Sequence, residues 1–464
     1  MTAISTDLLS GYQPLPGAWD EMVDDQGRTR EPWSTIAPVL QGIGLDELAR
    51  RRIEADRLLD DDGVTYHVFG QPEGRSRRWE LDPLPVVLAS EEWAEIERGV
   101  IQRAELLNLV LTDLYGPREL LRRRLLPPAV VLGHPGFVRA CDQIRLPGTQ
   151  QLFSCAVDLG RDASGAFQVL ADRTEAPSGA GYALENRVVT SRVLPSLYRR
   201  AEVHRLAPFF RNMRSALEAA APPTASEPRI VVLTPGSLSE TSFEHAYLAS
   251  YLGYPLVEGA DLVMRDGRVW LRSLGRREPV DVILRRVDTS FCDPLELQVD
   301  SHLGVPGLVE ACRLGTVSVV NTLGGGVLEN PALLAYLPTI AERVLGQELR
   351  LPSVPTWWCG DDDGRRKVLG ALETLVLKPL AGPAVRGWEL STAEVDDLRR
   401  RIEARPERWV GQELLALAAV PTLTGAGLEP RRSILRTFAV ARGESYAVMP
   451  GGLTRVAAEA GSSL

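Results

Sequence analysis

Apolar residues recur at helical spacing through most of the first 130 residues. Two segments, 36–59 and 91–125, carry the pattern most clearly, and the leucines of the second fall on one helix face. Gly116-Pro117 lies within the second segment and is expected to end that helix, because proline cannot continue it. The pattern predicts a mostly helical region over residues 1–130 that packs against the rest of the protein.

After this region, helical spacing gives way to short apolar runs typical of strands. Residues 151–158 and 166–172 are two such runs, and the turn residues 161–165 between them predict a β-hairpin. Asp158 and Asp172 lie on its two arms, where strand pairing could bring their carboxylates side by side. Adjacent carboxylates repel each other, so such a pair usually needs a cation between them.

A loop rich in serine and glycine follows the hairpin over residues 175–187. Backbone N–H groups in such loops suit the approach of a phosphate, which makes Ser178 and Gly179 candidate ligand contacts. The loop leads into Glu185, a further candidate site residue. A surface hairpin held by an arginine–aspartate ion pair explains the same residues equally well.

A segment rich in proline and alanine, 218–228, marks a boundary, and a strand–helix–strand pattern then runs over residues 229–321. This succession predicts an α/β unit with parallel strands. It contains no GxGxxG motif at a strand end and no Walker lysine motif, so a standard dinucleotide fingerprint is absent. Three glycines at 324–326 follow the last strand and favour a tight turn over an anion-binding loop.

The apolar run at residues 375–377 predicts a buried strand, with Lys378 at its end. A buried lysine is costly unless it meets an anion. The chain has only two lysines against fifty arginines. A position that retains the compact lysine charge therefore suggests a narrow anion site, with phosphate oxygens as the obvious ligand.

Further strands are predicted at residues 409–413 and 434–440. The first of them, together with the lysine strand, is a plausible nucleotide clamp. Lys378 would contact phosphate, while the backbone of strand 409–413 and the side chain of Glu413 would meet adenine and ribose.

Composition narrows the function classes. A length of 464 residues suggests two to four domains or subdomains and a large core. The net charge of −9 argues against a nucleic-acid partner, because no basic excess offsets the phosphates. Five scattered cysteines without zinc spacing favour a reducing cytoplasm. No apolar run reaches membrane length and no signal-peptide layout is visible, so no membrane partner is expected.

Several long motifs resemble those of the circularly permuted ATP-grasp family, whose members include glutathionylspermidine synthase. They are spread over nearly the whole chain and are QRAELLNLVLTDLYG (102–116), VLADRTEAPSGAGYALENR (169–187), FEHAYLASYLGYPLVEGADL (243–262), ILRRVDTSFCDPLEL (283–297), VNTLGGGVLENP (320–331), PTWWCG (355–360) and VMPGGLTRV (448–456). The resemblance implies an α/β (α+β) fold, a circularly permuted ATP-grasp with a Rossmann-like α/β subdomain and a helical N-terminal region.

The resemblance also implies a division into four parts. They are a mostly helical N-terminal region (1–130), an ATP-grasp part carrying the acidic hairpin (131–225), a Rossmann-like α/β subdomain (226–355) and an ATP-grasp part carrying the nucleotide-clamping strands (356–464). In an ordinary member the clamping strands precede the metal-binding strands. Here the acidic hairpin comes first, which fits a permutation.

The chemistry that the resemblance implies is ATP-dependent, ADP-forming ligation of a carboxylate to an amine. The carboxylate attacks the γ-phosphate to give an acylphosphate, and an amine then displaces phosphate to give an amide. ATP and Mg²⁺ are the implied cofactors, and the substrate is expected to be an amino acid, a peptide or a small amine. The alternatives are a non-catalytic nucleotide- or partner-binding scaffold and a kinase-like use of the same fold.

By position, Lys378 resembles the phosphate-contacting lysine of the family, and Gln412 and Glu413 resemble the segment near adenine. Asp158 matches the first metal-ligand strand. Asp172 and Glu185 are the other candidate metal ligands that the resemblance suggests.

The second metal strand departs from the family pattern. Many relatives have Glu-Asp-Asn where this chain has Ala171-Asp172-Arg173. Arginine has no acceptor atom and cannot ligate a metal. Asp172 is then expected to turn inward, or Glu175 or Glu185 to substitute.

Arginines are the natural candidates for holding a substrate carboxylate by bidentate contact. Arg286 and Arg436 are proposed for this role, with Arg285 beside them.

Family members continue beyond the motif at 448–456 with a glycine-rich stretch and a Ser-Lys-Asp-x-Trp-Val ending. The chain stops at residue 464, so a C-terminal truncation is expected.

Overall fold

The structure is a computed structural model that describes residues 11–67, 76–237, 239–273, 276–425, 427–460 and 462. Its α-helices are α1 (Glu31–Ser34), α2 (Ala37–Ile43), α3 (Leu45–Asp61), α4 (Ser90–Leu114), α5 (Glu119–Arg122), α6 (Pro128–Leu132), α7 (Ala180–Val193), α8 (Pro195–Arg200), α9 (Ala207–Ala219), α10 (Ser242–Leu252), α11 (Leu308–Arg313), α12 (Leu337–Val344), α13 (Asp362–Gly370) and α14 (Thr392–Ala404). Its strands are β1 (Thr65–His67), β2 (Ser76–Arg78), β3 (Ser154–Arg161), β4 (Phe167–Arg173), β5 (Ile230–Leu233), β6 (Leu256–Val257), β7 (Leu262–Arg265), β8 (Arg268–Ser273), β9 (Arg276–Pro279), β10 (Val282–Arg285), β11 (Ser318–Val320), β12 (Thr356–Trp358), β13 (Leu375–Pro379), β14 (Val385–Arg386), β15 (Trp409–Glu413), β16 (Ala419–Thr424), β17 (Gly427–Arg442), β18 (Ser445–Val448) and β19 (Leu453–Val456).

The N-terminal region is built mainly from helices, as its apolar spacing predicts. The segment 36–59 forms two helices rather than one, because Gly44 has a positive φ of 76° and separates α2 from α3. The long helix α4 ends at Leu114, two residues before Gly116-Pro117. Its buried leucines and valines belong to the main hydrophobic core, together with residues of β3 and of the α/β unit.

The central sheet has six antiparallel strands and joins two distant parts of the sequence. Its order is β16-β17-β3-β4, with β18 and β19 also paired to β17. Strand β17 spans 16 residues, long enough to pair with four different strands along its length. The acidic hairpin β3–β4 is thereby held beside strands that follow it by about 250 residues or more.

The α/β unit forms a second sheet with the parallel strand order β11-β10-β5-β6. The predicted parallel pairing is confirmed. A three-stranded antiparallel sheet, β7-β8-β9, interrupts this unit and was not predicted. The glycines at 324–326 enter a short 3₁₀ helix over Gly325–Glu329.

The lysine strand belongs to a third sheet, with the antiparallel order β12-β15-β13-β14. One face of this sheet packs against α13 and α14, in a separate core that contains Leu375 and Leu377. Side chains alternate along a strand, so Lys378 points to the opposite face. Gln412 pairs with Val376 and therefore shares the face of Lys378.

The stretch that follows the hairpin differs from its prediction. Residues 180–193 form α7, whereas the sequence indicated a loop over 175–187. Only residues 174–179 are without regular structure there.

The four predicted domain ranges stay a prediction. Among the described helices, none is both long and apolar enough to cross a membrane.

Candidate functional site

Asp158 on β3 lies between two arginines on one face of the central sheet. Arg436 stands opposite it on β17 and contacts both carboxylate oxygens, with Nε–Oδ1 2.6 Å and Nη2–Oδ2 3.0 Å. Arg173 on β4 donates from Nε to Oδ2 at 3.2 Å. The two guanidinium groups hold the pKa of Asp158 below its usual range, despite its burial.

Asp172 does not lie beside Asp158, and the prediction that these two carboxylates face each other is wrong. From the turn, the hairpin pairs in register as far as Leu159 with Val169, but Asp158 then pairs with Ala171. Leu170 is therefore an extra residue in β4, a β-bulge. Beyond the bulge, each side chain of β4 lies on the sheet face opposite to the one it would occupy without the extra residue.

The bulge gives Asp172 a structural role on the opposite face. Arg103 of α4 binds it in a bidentate pair, with Nε–Oδ1 2.6 Å and Nη2–Oδ2 2.8 Å. The two side chains are 1% and 2% exposed. Asp172 thus has both oxygens engaged in the core, and Arg173 occupies the face that Asp172 was expected to share with Asp158.

Lys378 reaches the same place from the third sheet. Its Nζ lies 3.5 Å from the carbonyl oxygen of Leu170, the bulged residue of β4. Burial and the nearby Arg173 lower the pKa of Lys378 to about 8, while Asp158 acts in the opposite direction. We call Arg173, Arg436 and Lys378 the cation cluster. It brings three positive charges around the single carboxylate of Asp158.

Glu329 is a site residue that the sequence did not single out. It lies at the end of the 3₁₀ helix after the glycines, and its Oε1 accepts hydrogen bonds from the N–H groups of Thr174 (2.7 Å) and Glu175 (2.6 Å). Its Oε2 lies 3.9 Å from Nη1 of Arg173. Burial raises the pKa of Glu329. Its position in the motif at 320–331 was the only available signal.

The loop before α7 is held by an internal carboxylate. Glu244 of α10 accepts hydrogen bonds at Oε1 from the N–H groups of Gly179 (2.7 Å) and Gly181 (2.8 Å). The N–H of Gly179, a candidate phosphate contact, is therefore already paired. Gly179 has a φ of 118°, and an added Cβ would lie 2.9 Å from Phe438, so the position requires glycine.

Contacts of Ser178 and Arg286 also hold the loop before α7 in place. The carbonyl oxygen of Ser178 accepts from Nη1 of Arg436 at 3.2 Å, so the loop is tied to the cation cluster. Arg286 is enclosed between Glu244 (Nη2–Oε2 3.3 Å) and the carbonyl of Pro177 (2.9 Å). These contacts make Arg286 a positioning residue for the loop rather than a free contact for a substrate carboxylate.

Arg285 is likewise used by the protein itself. Its side chain is fully buried and donates to Glu175 Oε1 at 2.9 Å and to three backbone carbonyls. Oε1 of Glu175, which also accepts from the N–H of Thr289 at 2.5 Å, is thereby occupied. Of the three candidate arginines, Arg436 alone belongs to the cation cluster.

The two residues expected near adenine, Gln412 and Glu413, lie on opposite faces of the third sheet. Gln412 is buried on the face of Lys378 and donates to Thr356 Oγ1 at 3.1 Å. Glu413 is exposed and pairs with Leu375, so its side chain belongs to the opposite face at the end of β15. Strand β15 pairs with β12 on one side and β13 on the other, and the N–H of Glu413 donates to the carbonyl oxygen of Pro355 at 2.9 Å, so the backbone contact to adenine stays a prediction.

Glu185 lies on α7, away from the cation cluster. Burial raises its pKa, and its neighbours are Tyr247, Asp62 and Arg192. Since Asp172 is also engaged elsewhere and both oxygens of Asp158 contact arginine, the predicted ligands do not converge. Among the described residues, no group of three or more His, Cys, Asp or Glu side chains is arranged to hold a metal ion. The residues present therefore do not fit a Mg²⁺ cage.

A cavity of about 530 Å³ lies elsewhere, at the N-terminal segment. Trp19, Arg30 and Arg161 are among its lining residues, and no member of the cation cluster is. Arg161 is neutralised there by Glu21 and Glu92. The cavity thus has mixed, internally paired charge, and the unbalanced positive charge is found at the cation cluster.

A lysine from one antiparallel sheet meets an aspartate and two arginines from another, and a parallel α/β unit lies between them in sequence. Two antiparallel sheets that approach each other through a lysine on one and an aspartate on the other agree with the ATP-grasp fold that the sequence motifs imply. A profile of the family described as circularly permuted ATP-grasp type 2 matches residues 85–457. The chain belongs to this family, and the predicted fold class is confirmed.

Similar proteins agree with this assignment. An uncharacterised protein of Mycobacterium bovis is 45% identical over 98% of this chain, and one of Synechocystis is 36% identical over 98% of this chain and 95% of its own length. A glutathione synthetase-like effector from Globodera pallida has a similar fold, with a TM-score of 0.57 and 11% identity over 89% of this chain and 95% of the effector. Family and fold together give the chain the scaffold of ATP-dependent ligases.

The chain spans about half the length of the first curated relatives that it matches. It covers 53% of the Mycobacterium bovis protein and of two Mycobacterium tuberculosis proteins. A Mycobacterium leprae protein is covered over 79% of its length, at 38% identity.

Proposed function

We propose that the chain is an ATP-dependent carboxylate–amine ligase that acts through an acylphosphate. The observation that carries the proposal is the cation cluster, where Lys378 of one sheet meets Arg173 and Arg436 of the other around Asp158. Three cations exceed the charge of the two nearby carboxylates, Asp158 and Glu329. A triphosphate supplies the missing negative charge, and arginine and lysine are its usual partners.

In the proposed reaction the protein positions and neutralises charge. A carboxylate oxygen of the substrate attacks the γ-phosphorus, the bond between the γ-phosphorus and the bridging oxygen breaks, and ADP leaves with the electron pair. An amine nitrogen then attacks the acyl carbon, the carbon–oxygen bond to phosphate breaks, and the amine loses a proton. The cluster stabilises the negative charge that builds up on the transferred phosphoryl group. The substrates are proposed to be an amino acid, a peptide or a small amine.

The proposal is tested by incubating the protein with ATP and pools of amino acids, peptides and small amines. Mass spectrometry should detect a product one water lighter than the sum of two substrates, together with ADP and phosphate. A carboxylate labelled with ¹⁸O should transfer one label to phosphate. Added hydroxylamine should trap the acylphosphate as a hydroxamate in the absence of the amine.

A scaffold that binds nucleotide without catalysis is the second candidate. It is favoured by one observation, the contact of both Asp158 oxygens with arginine and the lack of a metal cage among the described residues. ATP binding without amide, ADP or hydroxamate from any pool would replace the ligase with the scaffold. A stable phosphorylated product would instead indicate a kinase-like use.

Nucleotide affinity is expected to fall as the pH rises above about 8. The pKa of Lys378 is lowered to about 8, so the lysine is charged at neutral pH and loses its proton above that value. Phosphate binds the charged form, and binding above pH 8 must therefore take up a proton. The affinity for ATP should fall by up to about tenfold per pH unit. Calorimetry between about pH 7 and about pH 9.5, which brackets the pKa of about 8, can measure this fall.

The matched variant for this measurement is Lys378→Ala. It should bind more weakly but lose the pH dependence, because the side chain assigned to this titration is removed. An equally steep pH dependence in wild type and variant would contradict the assignment of the titration to Lys378.

A further inference from the structure

The guanidinium group of Arg173 lies between two carboxylates. Its Nε donates to Oδ2 of Asp158 at 3.2 Å, and its Nη1 lies 3.9 Å from Oε2 of Glu329. Glu329 comes from the glycine motif of the α/β unit and Asp158 from the central sheet. A single cation therefore bridges two acidic groups from different parts of the protein.

A divalent ion at such a place would use the same two carboxylates. Here its ligands are already engaged, since Arg436 binds both oxygens of Asp158. The strand position opposite Asp158 is Ala171, which has no ligating atom. A metal would also meet repulsion from the three charges of the cation cluster. The chain has thus placed an arginine where a metal ion would need to bind.

Arg173 is nevertheless open to a ligand. Its side chain is 43% exposed, and its contact with Glu329 is longer than a hydrogen bond. The planar guanidinium has five N–H donors and can contact a phosphate in bidentate fashion while it remains held by Asp158. Lys378 approaches the same strand, with its Nζ 3.5 Å from the carbonyl oxygen of Leu170, three residues before Arg173, and Arg173 contributes to lowering the pKa of Lys378.

We propose that Arg173 is a built-in cation of this anion site and that a polyphosphate binds here without a divalent metal. The inference rests on the proposed function, because it concerns the same nucleotide site. It deepens that proposal by replacing the metal that neutralises phosphate with a residue of the chain. The ligand chemistry is a chain of phosphates, either free or carried by a nucleoside.

The first test is calorimetry of wild-type protein with ATP and with inorganic tripolyphosphate, each in EDTA and in excess Mg²⁺. We expect both ligands to bind in EDTA with affinities like those in Mg²⁺. Titration with Mn²⁺ alone, followed by electron paramagnetic resonance, should show no bound metal. Binding of either ligand only in the presence of Mg²⁺, or a tight Mn²⁺ site, would overturn the inference.

The second test replaces the arginine. Arg173→Asn should lose at least about tenfold in metal-free affinity for both ligands, a change of about 1.4 kcal/mol. Arg173→Lys keeps the charge but loses the bidentate geometry, and its affinity should lie between those of wild type and Arg173→Asn. If Arg173→Asn binds tripolyphosphate in EDTA as wild type does, Arg173 is not the cation of the site.

The matched control is Arg313→Asn. Arg313 has the same 43% exposure and also contacts two carboxylates, Glu296 and Glu310, but it lies outside the site. Its replacement should leave both affinities unchanged, and an equal loss there would refute a specific role for Arg173. Thermal unfolding without ligand checks that the variants are folded.

The two proposals fail differently. One result is that tripolyphosphate binds in EDTA in a way that depends on Arg173, while ATP does not bind. This result would support the built-in cation and refute the nucleotide-dependent ligase. ATP binding that requires Mg²⁺ would leave the ligase standing and refute the built-in cation. Absence of binding by both ligands under both conditions would refute both.

Discussion

Lys378→Ala is expected to remove about half or more of the stabilisation that ATP gives the protein. Lys378 is largely buried and faces the central sheet from the third sheet, within hydrogen-bond reach of Leu170. A hydrogen bond to a charged group is worth about 1.5–3 kcal/mol, which corresponds to roughly ten- to hundredfold weaker binding. At an ATP concentration about a hundred times the wild-type dissociation constant, stabilisation of about 2.7 kcal/mol would fall to about 0.4 kcal/mol after a hundredfold loss.

The chain provides its own control for this measurement. Lys367 is the only other lysine. It lies on α13 with its Nζ 5.2 Å from the ring centre of Trp357, and it has no contact with the cation cluster among the described interactions. Lys367→Ala should leave the ATP-dependent shift of thermal unfolding unchanged. A full ATP-dependent shift in Lys378→Ala would show that Lys378 does not contact the nucleotide.

Arg103→Ala is expected to destabilise the protein by about 3–5 kcal/mol, because it leaves Asp172 buried without its partner. The pair is bidentate and 1–2% exposed, and Nη2 of Arg103 also lies 3.2 Å from Ser353 Oγ. A buried carboxylate without a partner cannot recover its hydration. Denaturation by urea, followed by tryptophan fluorescence, should show the loss as a lower transition midpoint.

A double replacement separates the cost of an unpaired charge from the loss of packing. Arg103→Met combined with Asp172→Leu removes both charges, and apolar replacement of a buried ion pair is often neutral or stabilising. The double variant should therefore recover most of the stability. Arg28→Ala is the surface control, since Arg28 is 72% exposed in its pair with Asp24, and it should cost less than about 1 kcal/mol. A small effect of Arg103→Ala would mean that water or another group reaches Asp172.

The supporting contacts explain how the protein's own groups hold a short loop beside the cation cluster. Glu244 neutralises the N-terminus of α7 by accepting from Gly179 and Gly181, and Arg286 neutralises Glu244 in turn. The loop is then tied to Arg436 through the carbonyl of Ser178. The site is therefore preorganised by internal charge pairs, and ligand binding need not order this loop.

Local pattern was enough to predict several elements. The hairpin at 151–172, the helix that ends before Gly116-Pro117 and the strands at 375–379 and 409–413 all form close to their predicted bounds. Each rests on signals within a few residues, which are apolar periodicity, turn residues and helix-ending proline. Helix α7 was missed because its start, rich in glycine and serine, resembles a loop. It forms because Glu244, distant in sequence, satisfies its first N–H groups.

The sequence by itself determined the family, the succession of elements and the isolation of Lys378 as a charge in need of an anion. It also showed that Arg173 replaces an expected metal ligand. Only the tertiary structure decided whether Asp172 or Arg173 shares the sheet face of Asp158. Side chains alternate along a strand, so a single bulged residue, Leu170, reverses the faces of all residues beyond it. That one-residue shift turns Asp172 into the core toward Arg103 and turns Arg173 toward Lys378, and no periodicity in the sequence reveals it.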